Sequence, residues 1–253
     1  MRFFIPAVLI ALLVTVTFSD ASSADPIEVK SPHGPIVVEL FTSEGCSSCP
    51  PADRLFSNLG GDVIQLGFHV DYWNHLGWRD PFSDARWSDR QRRYGDVFER
   101  GYIYTPQLVV NGQAEGIGSD RRDVQAMLQE AAARKPLAKL ELAVEAGADD
   151  LAVAVAGRLE DGSKPTAVLV AITESGFEID VAAGENRNRT LRHQHVVRDL
   201  RELGRLRAGT PLEQTVLLPL DADWKRDHVS VVAFAQDPVT LEIHGAAVWR
   251  AGG

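Results

Sequence analysis

The sequence has little cysteine: only Cys46 and Cys49 occur among its 253 residues, separated by two serines. A structural disulfide framework would need more cysteines, spread along the chain. A bond between these two would close a loop of only a few residues and would constrain the unfolded chain very little. The pair is therefore poorly placed to stabilise a fold and well placed for redox chemistry.

The chain also lacks an excess of basic charge. Asp and Glu total 35 against 26 Lys and Arg, which gives a formal net charge of -9. An acidic protein gains nothing from the phosphate electrostatics that drive nucleic-acid binding, and no basic stripe reverses the balance. We therefore expect no nucleic-acid partner.

Long apolar runs are absent after the first residues. Met1-Arg2 gives a short positive start, residues 3–18 are almost wholly apolar, and Ser22-Ser23-Ala24 fits a small-x-small cleavage site. This run is shorter than the roughly 20 residues that span a bilayer. We interpret residues 1–24 as a signal peptide, with an uncleaved anchor as the alternative. The mature protein is then expected to be periplasmic or secreted, without a membrane span, in a compartment where disulfides persist.

The pattern around the two cysteines is that of a βαβ unit. Residues 36–41 are a short β-rich run, residues 52–59 carry apolar side chains at helical spacing, and residues 63–70 form a second strand-like run. The Cys-Ser-Ser-Cys segment lies between the first strand and the helix. A Cys-x-x-Cys near a βαβ pattern indicates a thioredoxin-like redox motif.

The remainder of the first half continues with alternating helix and strand signals. Ser83-Asp84 can cap a helix that runs to about residue 98, and Ser119-Asp120 can cap another that ends before Pro136. Between them, residues 107–110 and 114–117 predict two strands, joined by the hairpin signal Asn111-Gly112.

From residue 137 onward, short alternating runs at regular spacing predict an antiparallel sandwich. The predicted fold is therefore α/β. A thioredoxin-like domain covers residues 33–135, with an aromatic helical insertion at 71–101. An all-β, sandwich-like domain follows at 136–253.

The cysteine motif predicts thiol–disulfide exchange. A thiolate is the attacking species, and a helix N-terminus favours the anion through its free N–H groups and dipole. We expect Cys46, on the exposed side, to attack and Cys49, nearer the helix body, to resolve the mixed disulfide. Pro50 fits best as the first helical residue, which leaves Cys46 a turn upstream. Glu44 would oppose thiolate formation.

Thr105-Pro106 at the head of a strand is where the sequence resembles the thioredoxin superfamily. In that superfamily a Thr-Pro dipeptide heads the third strand, with a cis proline against the Cys-x-x-Cys. The preceding residue pairs with an extended substrate. The resemblance implies that Pro106 shapes the substrate groove and that Thr105 contacts substrate.

The resemblance narrows to a group of secreted bacterial thioredoxin-like proteins of unassigned function. Five segments carry it: residues 39–53 (ELFTSEGCSSCPPAD), 69–74 (HVDYWN), 77–82 (GWRDPF), 104–107 (YTPQ) and 184–193 (GENRNRTLRH). It implies a thioredoxin fold with an appended β-rich domain and names no substrate. The usual Trp-Cys-Gly-Pro-Cys core is replaced here by Gly-Cys-Ser-Ser-Cys-Pro.

Further candidate residues come from the aromatic stretch at 71–101. Asp71, Tyr72 and Trp73 directly follow a predicted strand and are candidates for substrate contact. The alternative for most of the aromatic rings in the stretch is packing of the insertion onto the domain.

Histidines raise two further ideas. His69 and His75, together with the Cys pair, suggest a copper-delivery function. His69 lies in a predicted strand, however, where a histidine is more often a hydrogen-bonded core residue. His193 and His195 alternate along a predicted strand at 190–197 and are expected on one face. That face could dock a partner, or it could simply be solvated.

The leading hypothesis is an exported thiol–disulfide oxidoreductase acting on protein or peptide thiols and disulfides. It needs no cofactor beyond the redox-active Cys46–Cys49 pair. A non-catalytic binding or accessory module on a thioredoxin scaffold, and a copper-delivery protein using both cysteines and a His, stay open.

Overall fold

The computed structural model describes Met1 and residues 26–252. The predicted signal peptide therefore lies, Met1 apart, outside the described residues. Within them, no helix combines the length and apolar character that a membrane crossing requires.

The first half combines six strands with three helices. Its elements are β1 (Ile27–Val29), β2 (Ile36–Thr42), α1 (Cys49–Ser57), β3 (Leu59–Gly61), β4 (Val63–His69), α2 (Ala85–Val97), β5 (Gln107–Val110), β6 (Ala114–Ile117) and α3 (Arg121–Ala132). The strand predictions at 107–110 and 114–117 match β5 and β6. Asp84 and Asp120 cap α2 and α3 by accepting backbone N–H bonds, as their positions predict.

The second half is formed by strands. They are β7 (Ala138–Ala146), β8 (Asp150–Leu159), β9 (Thr166–Glu174), β10 (Phe177–Val181), β11 (Arg189–His193), β12 (Val196–Leu206), β13 (Leu212–Pro219), β14 (Val229–Gln236) and β15 (Ile243–Arg250). The predicted α/β class is confirmed: a central sheet that contains parallel strands is accompanied by separate antiparallel sheets.

One eight-stranded sheet runs through both halves, in the order β15-β14-β9-β12-β4-β2-β5-β6. The halves meet where β12 runs parallel to β4, with Val196 opposite Gly67. The backbone N–H of Gly67 donates to the carbonyl of His195 over 2.8 Å. A side chain at Gly67 would begin only 3.3 Å from that carbonyl oxygen. Glycine thus permits the close approach that joins the halves. The predicted division near residue 135 stays a prediction, because strands from both sides of it share this sheet.

Strand β2 is buried on both faces, which sets the layers around it. Val37 and Phe41 point into a core shared with α2 and with Phe234 of β14. Val38 and Leu40 point the other way, into a core beneath α1 and α3. This alternation follows from the two-residue period of a strand. The three-stranded sheet β13-β8-β7 packs its own core against β9 and β14.

Two element predictions are corrected. Helix α1 begins at Cys49 and ends at Ser57, so that Leu59 lies in β3, paired with β1, instead of in the helix. The predicted strand at 190–197 is broken, because His195 adopts a positive φ of 55° between β11 and β12. β11 pairs with β10, whereas β12 pairs with β9 and β4.

Candidate functional site

Cys46 and Cys49 form a disulfide in the turn that leads from β2 into α1. The Cys49 N–H donates to the Cys46 carbonyl over 3.2 Å, and Cys49 is the first residue of the helix. Both residues are fully buried, with 0% of their surface exposed. The expectation that Cys46 lies on the exposed side is therefore wrong. Neighbouring segments pack over the disulfide, and Ser47 and Ser48 are the exposed residues of the turn.

Thr105 and Pro106, which directly precede β5, form another side of the site. The peptide bond between them is cis, as predicted. The Thr105 carbonyl oxygen lies 3.9 Å from Cys46 Sγ and accepts a 3.5 Å bond from the Ser48 hydroxyl. Ser48 Oγ is itself 3.3 Å from Cys46 Sγ. The Thr105–Pro106 peptide thus lies against the disulfide, as the resemblance to the thioredoxin superfamily implies.

The three aromatic-stretch candidates have different surroundings. Trp73 donates its indole N–H to the Thr105 hydroxyl over 2.8 Å, and its Cβ would lie 2.9 Å from a side chain added at Gly45. Trp73 therefore covers the turn that carries the disulfide. Asp71 instead accepts a 2.5 Å bond from the Ser88 hydroxyl of α2.

Tyr72 is also bound to α2. Its hydroxyl donates to Gln91 over 3.1 Å, and burial raises its pKa to about 12. Elsewhere in the stretch, Trp87 and Tyr94 are buried in the core beside β2. For these rings the packing alternative is confirmed. Trp73 covers the cysteine turn, and the Tyr72 hydroxyl also interacts with the side chain of Thr105.

A buried polar cluster lies behind the cysteine turn. Asp80 accepts the Glu44 backbone N–H over 2.9 Å and bonds His69 Nδ1 over 2.7 Å. The Glu44 carboxylate accepts the Trp78 indole N–H over 2.7 Å and lies 3.1 Å from His193 Nε2. The sequence places Glu44 close to Cys46, where its charge would oppose the thiolate. In the structure the Glu44 carboxylate instead bonds Trp78 and His193.

The cluster shifts the titration of its members. Burial opposes the charged form of His69, but the adjacent Asp80 carboxylate outweighs it and raises the pKa of His69 above 6.5. Burial also opposes ionisation of Asp80, and its bonds to His69 and to backbone N–H groups nevertheless lower its pKa. At Asp53, burial dominates and raises the pKa, although the Thr42 hydroxyl donates to its carboxylate over 2.8 Å.

His193 and His195 do not share a strand face, contrary to the prediction. His193 is buried against Glu44, whereas His195 contacts the ring of Phe56 edge-on, and burial lowers the His195 pKa to about 4. The solvated-face alternative is wrong for the same reason. His75 is exposed, and its Nδ1 bonds the Tyr72 carbonyl. Among the described residues, no group of three or more His, Cys, Asp or Glu is arranged to hold a metal.

Two residues that the sequence-based reasoning did not select reach the cysteine turn from the second half. Asn186 Nδ2 donates to the carbonyls of Glu44 and Cys46, each over 2.8 Å, and Asn186 is fully buried. The Glu185 carboxylate accepts the Ser47 backbone N–H over 2.9 Å. Both lie within the 184–193 segment that the resemblance singled out, which is the signal that could have identified them.

A cavity of about 830 Å³ lies away from the disulfide, between the two halves. Its lining includes Ile36, Pro136, Leu137 and Arg158. Ile36 starts β2, and the cysteine turn follows the end of that strand. The length of β2, about 20 Å at 3.3 Å per residue, separates the cavity from the disulfide.

Comparison with known proteins identifies the family. A family model described as "Protein of unknown function (DUF1223)" matches residues 37–236. The chain belongs to this family. The family model carries no assigned function, and in this member Cys46 and Cys49 form a disulfide in a thioredoxin-like fold.

Two solved structures resemble most of the chain. Protein AGR_C_4864 from Agrobacterium tumefaciens is 29% identical, with a TM-score of 0.65, over 86% of this chain and 94% of that one. HBP35 of Porphyromonas gingivalis is 17% identical, with a TM-score of 0.62, over 88% of this chain and 76% of that one. The second likeness concerns the fold alone. No curated protein matches the sequence.

Proposed function

We propose that this DUF1223 protein is an exported thiol–disulfide oxidoreductase that acts on protein or peptide thiols and disulfides. The observation that carries the proposal is the Cys46–Cys49 disulfide at the start of α1, with the Thr105 carbonyl 3.9 Å from Cys46 Sγ. Two residues between the cysteines allow the second thiol to resolve a mixed disulfide within the molecule. The exported location is supported by the signal-like composition of residues 1–24.

Exchange at this site balances in two steps. A substrate thiolate attacks Cys46 Sγ, the Cys46–Cys49 bond breaks, and Cys49 leaves as a thiolate and takes up a proton. The second substrate thiol, as its thiolate, then attacks the mixed disulfide, forms the substrate disulfide and releases Cys46 as a thiolate. The substrate loses two electrons and the protein gains them, and the reverse sequence reduces a substrate disulfide.

The burial of the site defines what a substrate must do. With both cysteines at 0% exposure, a substrate sulfur reaches Cys46 only when the covering groups move aside. Trp73, which bonds Thr105 and lies over Gly45, is the side chain placed to move. An extended substrate segment that took the place of Trp73 beside Thr105 would lie next to Cys46 Sγ.

Burial also favours a second candidate, a non-catalytic accessory module whose disulfide is passive. The reduction potential of the pair separates the two functions. Equilibration in glutathione buffers, followed by alkylation and mass measurement, should give a value within about -120 to -270 mV for an exchange enzyme. A value well below about -300 mV, resistant to the glutathione pool, would instead support the accessory module.

Turnover supplies the matched test. With a disulfide-bonded peptide as substrate, Cys46→Ser should abolish exchange, because the attacking sulfur is gone. Cys49→Ser should instead accumulate a mixed disulfide on Cys46, visible by mass, because attack proceeds but resolution does not. Full activity in Cys46→Ser would overturn the assignment.

A further inference from the structure

The loop between β10 and β11, residues 182–188, contacts the cysteine turn and is called here the clamp loop. It reaches the turn from about 140 residues away in sequence, since Asn186 bonds the Cys46 carbonyl at a separation of 140. Its own shape is fixed by backbone bonds from Arg187 to Gly184 over 3.2 Å and from Asn188 to Val181 over 2.9 Å. The clamp loop is therefore an ordered support for the turn.

Asn186 holds the backbone of the turn on both sides of Gly45. Its amide nitrogen donates to the Glu44 and Cys46 carbonyls, and its side-chain oxygen accepts from the guanidinium of Arg189 over 3.0 Å. An amide has two N–H donors and one carbonyl oxygen, so each of its groups has a partner here. With that backbone held in place, the two thiols of the reduced protein stay close together, and their reclosure costs little chain entropy.

Glu185 places a negative charge on the backbone of Ser47, the residue that follows Cys46. Its carboxylate accepts the Ser47 N–H, and this bond lowers the pKa of Glu185, which keeps it ionised near neutral pH. Ser47 follows Cys46 directly, so the carboxylate takes a backbone donor next to the site of the thiolate. A nearby like charge disfavours the Cys46 thiolate, and it therefore disfavours the reduced form at any pH where that thiol is ionised.

Both effects act in the same direction. We propose that the clamp loop sets the redox poise of the Cys46–Cys49 pair, with Asn186 as a positioning residue and Glu185 as an electrostatic one, both stabilising the disulfide. The inference rests on the proposed function and assigns a role to the second half: it determines how readily the first half is reduced.

The equilibrium that reports this is the reaction of the protein disulfide with two glutathione molecules, giving the protein dithiol and one glutathione disulfide. Glu185→Gln keeps an acceptor for Ser47 and removes the charge. At about pH 9, where a thiol of ordinary pKa about 8.5 is largely ionised, it should favour the reduced pair by about threefold, or about 15 mV, because the carboxylate is exposed and screened. Asn186→Ala should favour it by about tenfold, or about 30 mV.

Glu178→Gln is the matched control. Glu178 lies on β10 of the same hairpin, is exposed, and pairs with Arg192 on β11. It should leave the equilibrium unchanged. A second readout is the pH dependence of alkylation of the reduced proteins, in which the Cys46 pKa should fall in Glu185→Gln and stay constant in Glu178→Gln. Circular dichroism and the melting temperature of the reduced and oxidised forms establish that each variant is folded.

Wild-type equilibria in both Glu185→Gln and Asn186→Ala would overturn the proposal, as would an equal shift in Glu178→Gln. If Asn186→Ala does not fold, the exposed Glu185→Gln decides by itself. Failure of the proposed function can be distinguished from failure of this inference, because the proposed function fails if the wild-type protein shows no turnover. The equilibria of the variants, measured in dithiothreitol buffers if glutathione does not reduce the pair, still decide on the clamp loop.

Discussion

Replacing Arg90 with methionine should destabilise the protein by about 3–5 kcal/mol, the usual cost of breaking a buried ion pair. Arg90 and Glu39 are buried, with side-chain exposures of 5% and 1%. The guanidinium donates to both Glu39 carboxylate oxygens, over 2.6 and 2.8 Å, and to Gln236 over 3.1 Å. Methionine fills much of the space but leaves the Glu39 carboxylate with the Tyr94 hydroxyl, at 2.6 Å, as its remaining donor among these groups.

The magnitude can be checked against the bonds that are lost. Two charge-assisted hydrogen bonds to Glu39, at about 1.5–3 kcal/mol each, give about 3–6 kcal/mol, which agrees with the ion-pair figure. Because Glu39 lies on β2 and Gln236 on β14, the loss weakens the joint between the halves as well as the first half.

Urea unfolding followed by tryptophan fluorescence measures the effect. With a urea slope of about 3 kcal/mol per molar, the midpoint of Arg90→Met should fall by more than about 1 M. The double variant Arg90→Met/Glu39→Leu should recover most of the loss, because no unpaired charge is left buried. A loss below about 1 kcal/mol in the single variant, or no recovery in the double variant, would refute the reasoning.

Two further predictions concern stability. Burial raises the Asp53 pKa, so the protonated side chain contributes to stability fully below the unfolded pKa of about 3.8, and this contribution is lost as pH rises through the folded pKa. Asp53→Asn should therefore lose less stability than wild type between pH 4 and 8 in urea unfolding. An identical pH profile would contradict this. Gly112→Ala should destabilise the protein by about 2–5 kcal/mol, because φ is +64° and the new Cβ would lie 1.9 Å from the Leu241 backbone oxygen. Gly162→Ala, with φ +82° and open space around it, should cost about 1–2 kcal/mol. Equal melting temperatures of the two variants would contradict the steric account.

The local structure could be predicted from the sequence because short-range chemistry determines it. Asp84 and Asp120 accept N–H bonds two or three residues ahead, so their capping role is visible in the sequence itself. β5, Asn111-Gly112 and β6 follow from a hairpin signal of a few residues. The site of the disulfide follows equally from two cysteines separated by two serines between a strand and a helix.

Sequence periodicity failed where distant segments compete for a strand. The run at 190–197 alternates well enough to predict one strand, yet its first half pairs with β10 and its second half with β9 and β4. His195 adopts a positive φ at the change of partner, and this turns His193 and His195 into different environments. Pairing partners decide such a break, and they lie outside any local window.

By itself, the sequence determined the fold class and the two cysteines between a strand and a helix, because each depends on patterns within single elements or turns. The positions of Thr105 and Pro106 beside the cysteines followed from the resemblance to the thioredoxin superfamily. Only the tertiary structure decided that the disulfide is buried, that Glu44 is already bound by Trp78 and His193, and that Asn186 and Glu185 hold the turn. The bond from Trp78 to Glu44 joins residues 34 positions apart within the first half. The bonds from Glu185, Asn186 and His193 join residues 138 to 149 positions apart and form only when the two halves pack together along β4 and β12.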